Sequence, residues 1–108
     1  MDKIHQYYVY KLTTVRNSTL YTGITNDLSR RCSEHIAGNK TGFTKKYNVN
    51  KLIFYEIYES VEMAIAREKQ IKGLSREKKI NIINNFNPGW EELFDKRSII
   101  KTGNEKIL

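Results

Sequence analysis

The chain has 108 residues, enough for one domain with a modest core, and a net charge of +7. A single cysteine, Cys32, excludes an intrachain disulfide and a cysteine-based zinc site. With no apolar N-terminal run and no stretch long enough to cross a bilayer, the expectation is a cytoplasmic protein with no membrane partner. The basic excess points to a polyanionic partner, and the plain alternative is that lysine serves solubility.

Met1–Gln6 reads as a short frayed end. Tyr7–Leu12 is apolar or aromatic at nearly every position, the pattern of a strand buried on both faces. Tyr8, Tyr10 and Leu12 share one face, and Tyr7 and Val9 the other. Arg16, Asn17 and Ser18 suit a hairpin loop, and Leu20–Ile24 returns antiparallel. Gly23 removes a side chain near the strand end, where something can approach closely.

Thr25, Asn26 and Asp27 supply capping oxygens for a helix opening at Asn26 or Asp27. Leu28, Cys32 and Ile36 mark its inward face, and Gly38 suits its C-cap. Arg31 and His35 stand one above the other beside that face, and Arg30 pairs with Glu34 further round. Two tyrosines, Tyr10 and Tyr21, brought near Arg31 by the hairpin suit an anionic substrate. The bland reading makes the tyrosines strand formers and Arg31 a solvated partner of Asp27.

Asn39–Asn50 holds Lys40, Lys45, Lys46 and Tyr47, a basic loop suited to a phosphate backbone and one stacked base, or a solvated connection. Leu52–Tyr58 is the strongest strand signal, with Glu56 as its one charge. Ser60 caps the next helix, whose apolar positions are Val61, Ala64, Ile65 and Ile71. Glu68 falls in the middle of that stripe. A carboxylate there needs a cation, a hydrogen-bond network or protonation. It is either a metal ligand at the core edge or half of an ion pair with Lys72 or a neighbouring arginine.

Gly73 ends that helix, and Ser75 caps another in which Ile80, Ile83 and Phe86 face inward. Lys72, Arg76, Lys78 and Lys79 form a second basic patch at the junction. Asn87-Pro88 opens a short helical turn, and Trp90, Leu93 and Phe94 close over the core. Residues 1–95 form the domain, and residues 96–108 are a charged C-terminal tail, mobile or carrying a short extra helix. The fold class is α/β (α+β): a small three-stranded antiparallel sheet flanked by helices.

Tyr8-Val9-Tyr10, Tyr21-Thr22-Gly23, Asp27-Leu28-Ser29-Arg30-Arg31 and His35 together resemble the GIY-YIG nuclease superfamily, in its small stand-alone bacterial form. The resemblance runs from about Tyr7 to Leu93. It departs at Tyr8, where the first motif has glycine, and at Thr22, where the second has isoleucine. It implies the same sheet-and-helix fold and a metal-dependent endonuclease, with DNA favoured over RNA, in work of the repair or recombination kind. Ala64-Ile65-Ala66-Arg67-Glu68 matches the context of the family's one catalytic acid. The implied catalytic set is Tyr10, Tyr21, Arg31, His35 and Glu68, with Glu68 the ligand of Mg²⁺ or Mn²⁺. Gly23 and a late asparagine, Asn87, are supporting positions.

Nucleic-acid contacts fall to Arg30, Lys40, Lys45, Lys46, Lys72, Arg76 and Lys79. With no appended recognition domain in the sequence, substrate choice is expected from shape or from a protein partner. Two readings compete. A non-catalytic nucleic-acid-binding module would use the same fold without cutting. An aromatic-sheet RNA binder would use Tyr7, Tyr8 and Tyr10, but it lacks the glycine-aromatic signature and leaves Glu68 unexplained.

Overall fold

The tyrosine-rich run becomes the centre of the sheet. The computed structural model describes residues 5–36, 48–95, 98–105 and 107–108. In it β1 (Tyr7–Thr13) lies between β2 (Leu20–Thr25) and β3 (Lys51–Tyr58), antiparallel to both. A central strand is covered on both faces, so Val9, Tyr10, Lys11 and Leu12 are all buried. The hairpin turns at Asn17, in the left-handed region at φ 56°, where its N–H donates to Thr14 O at 2.9 Å. Asparagine tolerates that conformation better than most residues.

Helix α1 spans Leu28–Ile36. Its cap is Asp27, whose Oδ1 accepts the Arg30 N–H at 3.0 Å. Leu28, Cys32 and His35 are its buried positions. The Ile36 side chain, Gly38 and most of the basic loop, with Lys40, Lys45 and Lys46, lie outside the described residues.

Helix α2 (Val61–Lys72) starts at Ser60, whose Oγ accepts the Met63 N–H at 3.3 Å. Helix α3 (Arg76–Phe86) starts at Ser75, which accepts from Lys78 N in the same way. Helix α2 packs chiefly on β1 and β2 through Ala64 and Ile71. Ile65, expected inward, is 40% exposed. One step along a helix turns the side chain by about 100°, which carries Ile65 out of the stripe centred on Ala64 and Ile71. Glu56, the charge inside β3, is met by Arg67 in a two-pronged contact at 2.8 and 3.1 Å, and Tyr58 Oη donates to it at 3.1 Å.

The segment after α3 is a turn and not the helical turn expected at Asn87-Pro88. The Asn87 side chain donates to Ile53 O and Glu91 O, and its oxygen accepts the Glu91 N–H. Those bonds bend the chain, and Trp90 sits at φ 50°. Leu93 and Phe94 are buried, and Trp90 packs against the core. Residues beyond 95 form no helix among the described residues. Phe94–Asp95 (β4) pairs with Ser98–Ile99 (β5), and Ile107 bridges Ile57 in parallel. Leu108 N–H donates to Ile57 O at 2.8 Å, and Glu59 N–H to Leu108 O at 3.0 Å. The open edge of β3 offers unpaired backbone groups, and the last residues satisfy some of them. Among the described residues, no helix is long and apolar enough to cross a membrane.

Candidate active site

The β1–β2 register sets Tyr10 directly opposite Gly23. The Tyr10 ring lies across the glycine. A Cβ built on Gly23 would stand 2.6 Å from Tyr10 Cζ and 2.6 Å from its Oη. Gly23 is therefore the close-approach position expected from the sequence, and the approaching group is Tyr10. Tyr21 lies two residues earlier on the same face of β2, its ring 6.2 Å from that of Tyr10 and tilted by 51°.

Capping by Asp27 starts α1 so that Arg31 falls over this pair. Its Nε–H donates to Tyr10 Oη at 3.3 Å, and its Nη1 lies 3.8 Å from Glu34 Oε1. The side chain keeps 43% exposure, so its terminal nitrogens are within reach of a phosphate from solution. The neighbouring phenols hold the guanidinium proton more tightly still. Arg31 pairs with Glu34 and not with Asp27, which caps the backbone.

A tyrosine acting as a base near neutrality needs its pKa lowered, and the Arg31 hydrogen bond acts on Tyr10 in that direction. Burial dominates instead, with Tyr21 adding to it, and the Tyr10 phenol is pushed up to about 12 despite the Arg31 hydrogen bond. Bringing it to neutrality would take about 7 kcal/mol of preferential stabilisation of the phenolate. In the protein by itself the packing therefore favours the protonated phenol.

The remaining positions are less tightly gathered. His35 is buried on the α1 stripe with Leu28 and Cys32. Glu68 lies on α2 between Ala64 and Ile71 with its side chain 17% exposed, and Lys72 Nζ stands 3.5 Å from its Oε2. Among the described residues, no group of three or more His, Cys, Asp or Glu side chains converges. A lone carboxylate still fits Mg²⁺, which commonly takes one or two protein carboxylates and fills its other positions with water and phosphate.

Asn87 is buried with its carboxamide engaged by backbone, so it acts as a structural clamp. Arg30, Lys72 and Arg76 are exposed, and Arg76 Nη2 donates to Ser18 O at 2.8 Å. Lys79 is half-buried.

Lys11 escaped the sequence reading. It is fully buried opposite Thr22, and its Nζ donates to Thr22 Oγ1 at 2.6 Å. Burial, and then the charge of Lys79, lower its pKa to about 8. The available signal was a lysine inside an otherwise apolar central strand.

Comparison with known proteins settles the family. The model of the GIY-YIG catalytic domain matches residues 6–81. The chain belongs to the GIY-YIG family. Among its relatives, a UPF0213 protein of Natronomonas pharaonis is 39% identical over 77 residues, 71% of this chain and 89% of the relative. A UPF0213 protein of Staphylococcus saprophyticus is 34% identical over 83 residues, 77% of this chain and 96% of the relative. The solution NMR structure of the UPF0213 protein BH0048 from Bacillus halodurans aligns with a TM-score of 0.53 at 30% identity, covering 81% of this chain and 92% of that one. The GIY-YIG pattern also gives Thr22 a context. Where the second motif carries isoleucine, this GIY-YIG chain has a hydroxyl that accepts the hydrogen bond of Lys11.

Proposed function

We propose that this protein is a divalent-metal-dependent endonuclease that hydrolyses phosphodiester bonds in nucleic acid, with DNA as the favoured substrate. The observation that carries the reading is the Tyr10–Gly23–Arg31 arrangement, backed by Tyr21: a cation fixed over two phenols, with the glycine that lets the ring lie flat. Membership of the GIY-YIG family supports it.

Hydrolysis of a phosphodiester requires an activated water, stabilised charge on the phosphoryl oxygens and relief of the leaving oxygen. Arg31 binds the scissile phosphate through its terminal nitrogens while its Nε stays on Tyr10. Tyr10 remains protonated and donates its hydrogen to a phosphoryl oxygen or to the attacking water, which it orients. Tyr21 stands beside it on the same face of the sheet, its ring 6.2 Å from that of Tyr10. His35 lines the buried side of α1 and orients this group. Glu68 is the residue that would hold Mg²⁺ or Mn²⁺. The bound cation would supply charge neutralisation at the leaving oxygen. Arg30, Lys40, Lys45, Lys46, Lys72, Arg76 and Lys79 carry the backbone contacts, and a protein partner or substrate shape sets specificity. Residues 1–95 form the nuclease domain, and the place of action is the cytoplasm, where a lone thiol stays reduced.

One observation favours a second reading. Glu68 already has Lys72 as a partner, as a binding module without turnover would have it. Incubation of the purified protein with branched, single-stranded and duplex substrates, in Mg²⁺, in Mn²⁺ and in chelator, decides between them. The nuclease reading expects metal-dependent cleavage that disappears with chelator. Salt-sensitive binding without cleavage in either metal would establish the module.

A further inference from the structure

A separate concavity of about 260 Å³ opens beside β3, the strand on the far side of β1 from Tyr21 and Gly23. Its apolar part is aromatic: the Phe86 ring meets Phe54 edge-on at 5.3 Å and Tyr55 at 5.1 Å. Its charged wall is already neutralised. Glu56 is gripped by Arg67 Nε and Nη2, and Arg67 Nη1 donates to Gln70 Oε1 at 2.7 Å. A phosphate would find no open cation at this wall.

Ile82 and two carboxamides complete the lining. Asn85 on α3 is exposed, and its carboxamide makes no hydrogen bond with the described residues. Asn104, from the C-terminal segment, donates through Nδ2 to Phe86 O at 3.1 Å, which leaves its oxygen open. A site with an aromatic base, a neutral wall and open amide edges suits a flat, uncharged ligand carrying its own donors and acceptors. Drug-sized ligands occupy pockets of about 300–1,000 Å³, so this one has room for a single heterocycle.

We propose that this pocket receives one nucleobase, adenine in preference, turned out of a single strand whose phosphates are held elsewhere on the protein. Asparagine offers paired donor and acceptor groups that match the N6/N7 edge of adenine. Bases drawn from a strand are read by such edge contacts and by packing against aromatic rings. The strand as source rests on the nuclease reading, whereas the pocket's chemistry does not.

The test uses the full chain, ¹⁵N-labelled, titrated with adenosine, guanosine, cytidine and thymidine, none of which carries a phosphate. The expected result is saturable shifts at Phe54–Glu56, Ile82–Phe86 and Asn104, tightest for adenosine and unchanged by added inorganic phosphate. Asn85→Leu, at an exposed position, should weaken adenosine roughly tenfold. Ile82→Trp should fill the pocket and abolish binding, and Asn85→Leu carries the test if that variant does not fold. A single-stranded oligonucleotide with an abasic site walked along it then separates a strand base from a free nucleoside. One position should lower wild-type affinity several-fold and leave Ile82→Trp, or Asn85→Leu in its place, unaffected. Absence of nucleoside shifts, shifts at Tyr10 and Arg31 instead, or wild-type affinity in Asn85→Leu would overturn the proposal. Loss of the nuclease reading in a cleavage assay would leave the nucleoside titration standing, so the two failures are told apart.

Discussion

The ring of Tyr10 lies where a side chain on Gly23 would have to be. That relationship ties the two halves of the family motif together sterically. A Cβ at 2.6 Å from two ring atoms is far inside van der Waals contact, and a ring that is 1% exposed has little room to retreat. Gly23→Ala is therefore expected to destabilise the fold by about 1–3 kcal/mol. It should also remove cleavage by displacing Tyr10 Oη from Arg31. Tyr10→Phe keeps the ring and loses only the hydroxyl, so it should melt close to wild type. Thermal melts of the two variants side by side check this, and an unperturbed Gly23→Ala would contradict the packing.

Tyr10 should ionise well above an ordinary tyrosine. Its folded pKa is raised from 10.0 to about 12, so the folded state holds the proton more tightly than the unfolded chain. That contribution to stability is complete below pH 10 and is lost as pH rises from 10 towards 12. Tyr10→Phe should flatten part of the alkaline loss. A ¹³C-tyrosine NMR titration should show Tyr10 still protonated at pH 11, and a midpoint near 10 would refute the burial argument.

Lys11 titrates in the opposite sense. Its folded pKa is depressed from 10.5 to about 8, so its favourable share of stability is present above pH 10.5 and is lost as pH falls through 8. Stability should therefore rise between pH 8 and the onset of tyrosine ionisation. Replacing Lys11 with Met and Thr22 with Val removes the buried charge together with its hydroxyl partner. The double variant should gain about 2–3 kcal/mol at neutral pH and lose that rise. Urea melts at pH 7 and pH 9.5 are the measurement, with an unchanged pH dependence as the contrary outcome.

Glu68→Gln separates turnover from folding. The Lys72 side chain is 55% exposed, so water can solvate it once the carboxylate is gone. An i,i+4 pair of this kind contributes about 0.3–0.5 kcal/mol, and the melting temperature should barely move. Metal-dependent cleavage should fall by about 100-fold or more while nucleic-acid affinity is retained. A variant that cleaves as wild type would remove Glu68 from the metal site.

Much of this molecule follows from the sequence alone. Apolar runs bounded by turn residues place all three main strands, and the caps Asp27, Ser60 and Ser75 begin their helices where short polar side chains meet orphan amides. These are local rules, and the chain obeys them locally. The motif spacing likewise carries the family and the gathering of Tyr10, Tyr21, Gly23 and Arg31, because one hairpin and one helix start suffice to bring them together.

Only the tertiary structure decided what depends on non-local neighbours. Tyr10 stays a phenol because the packing that buries it outweighs the arginine beside it. Lys11 is hidden because β1 is the middle strand, and its Thr22 partner comes from the neighbouring strand. Glu56 finds Arg67 eleven residues away, and the last residues leave the tail expected of them to line the edge of β3. Glu68 lies in its apolar stripe as the helical spacing required, with Lys72 beside it, since helix spacing sets a face and packing sets what that face meets.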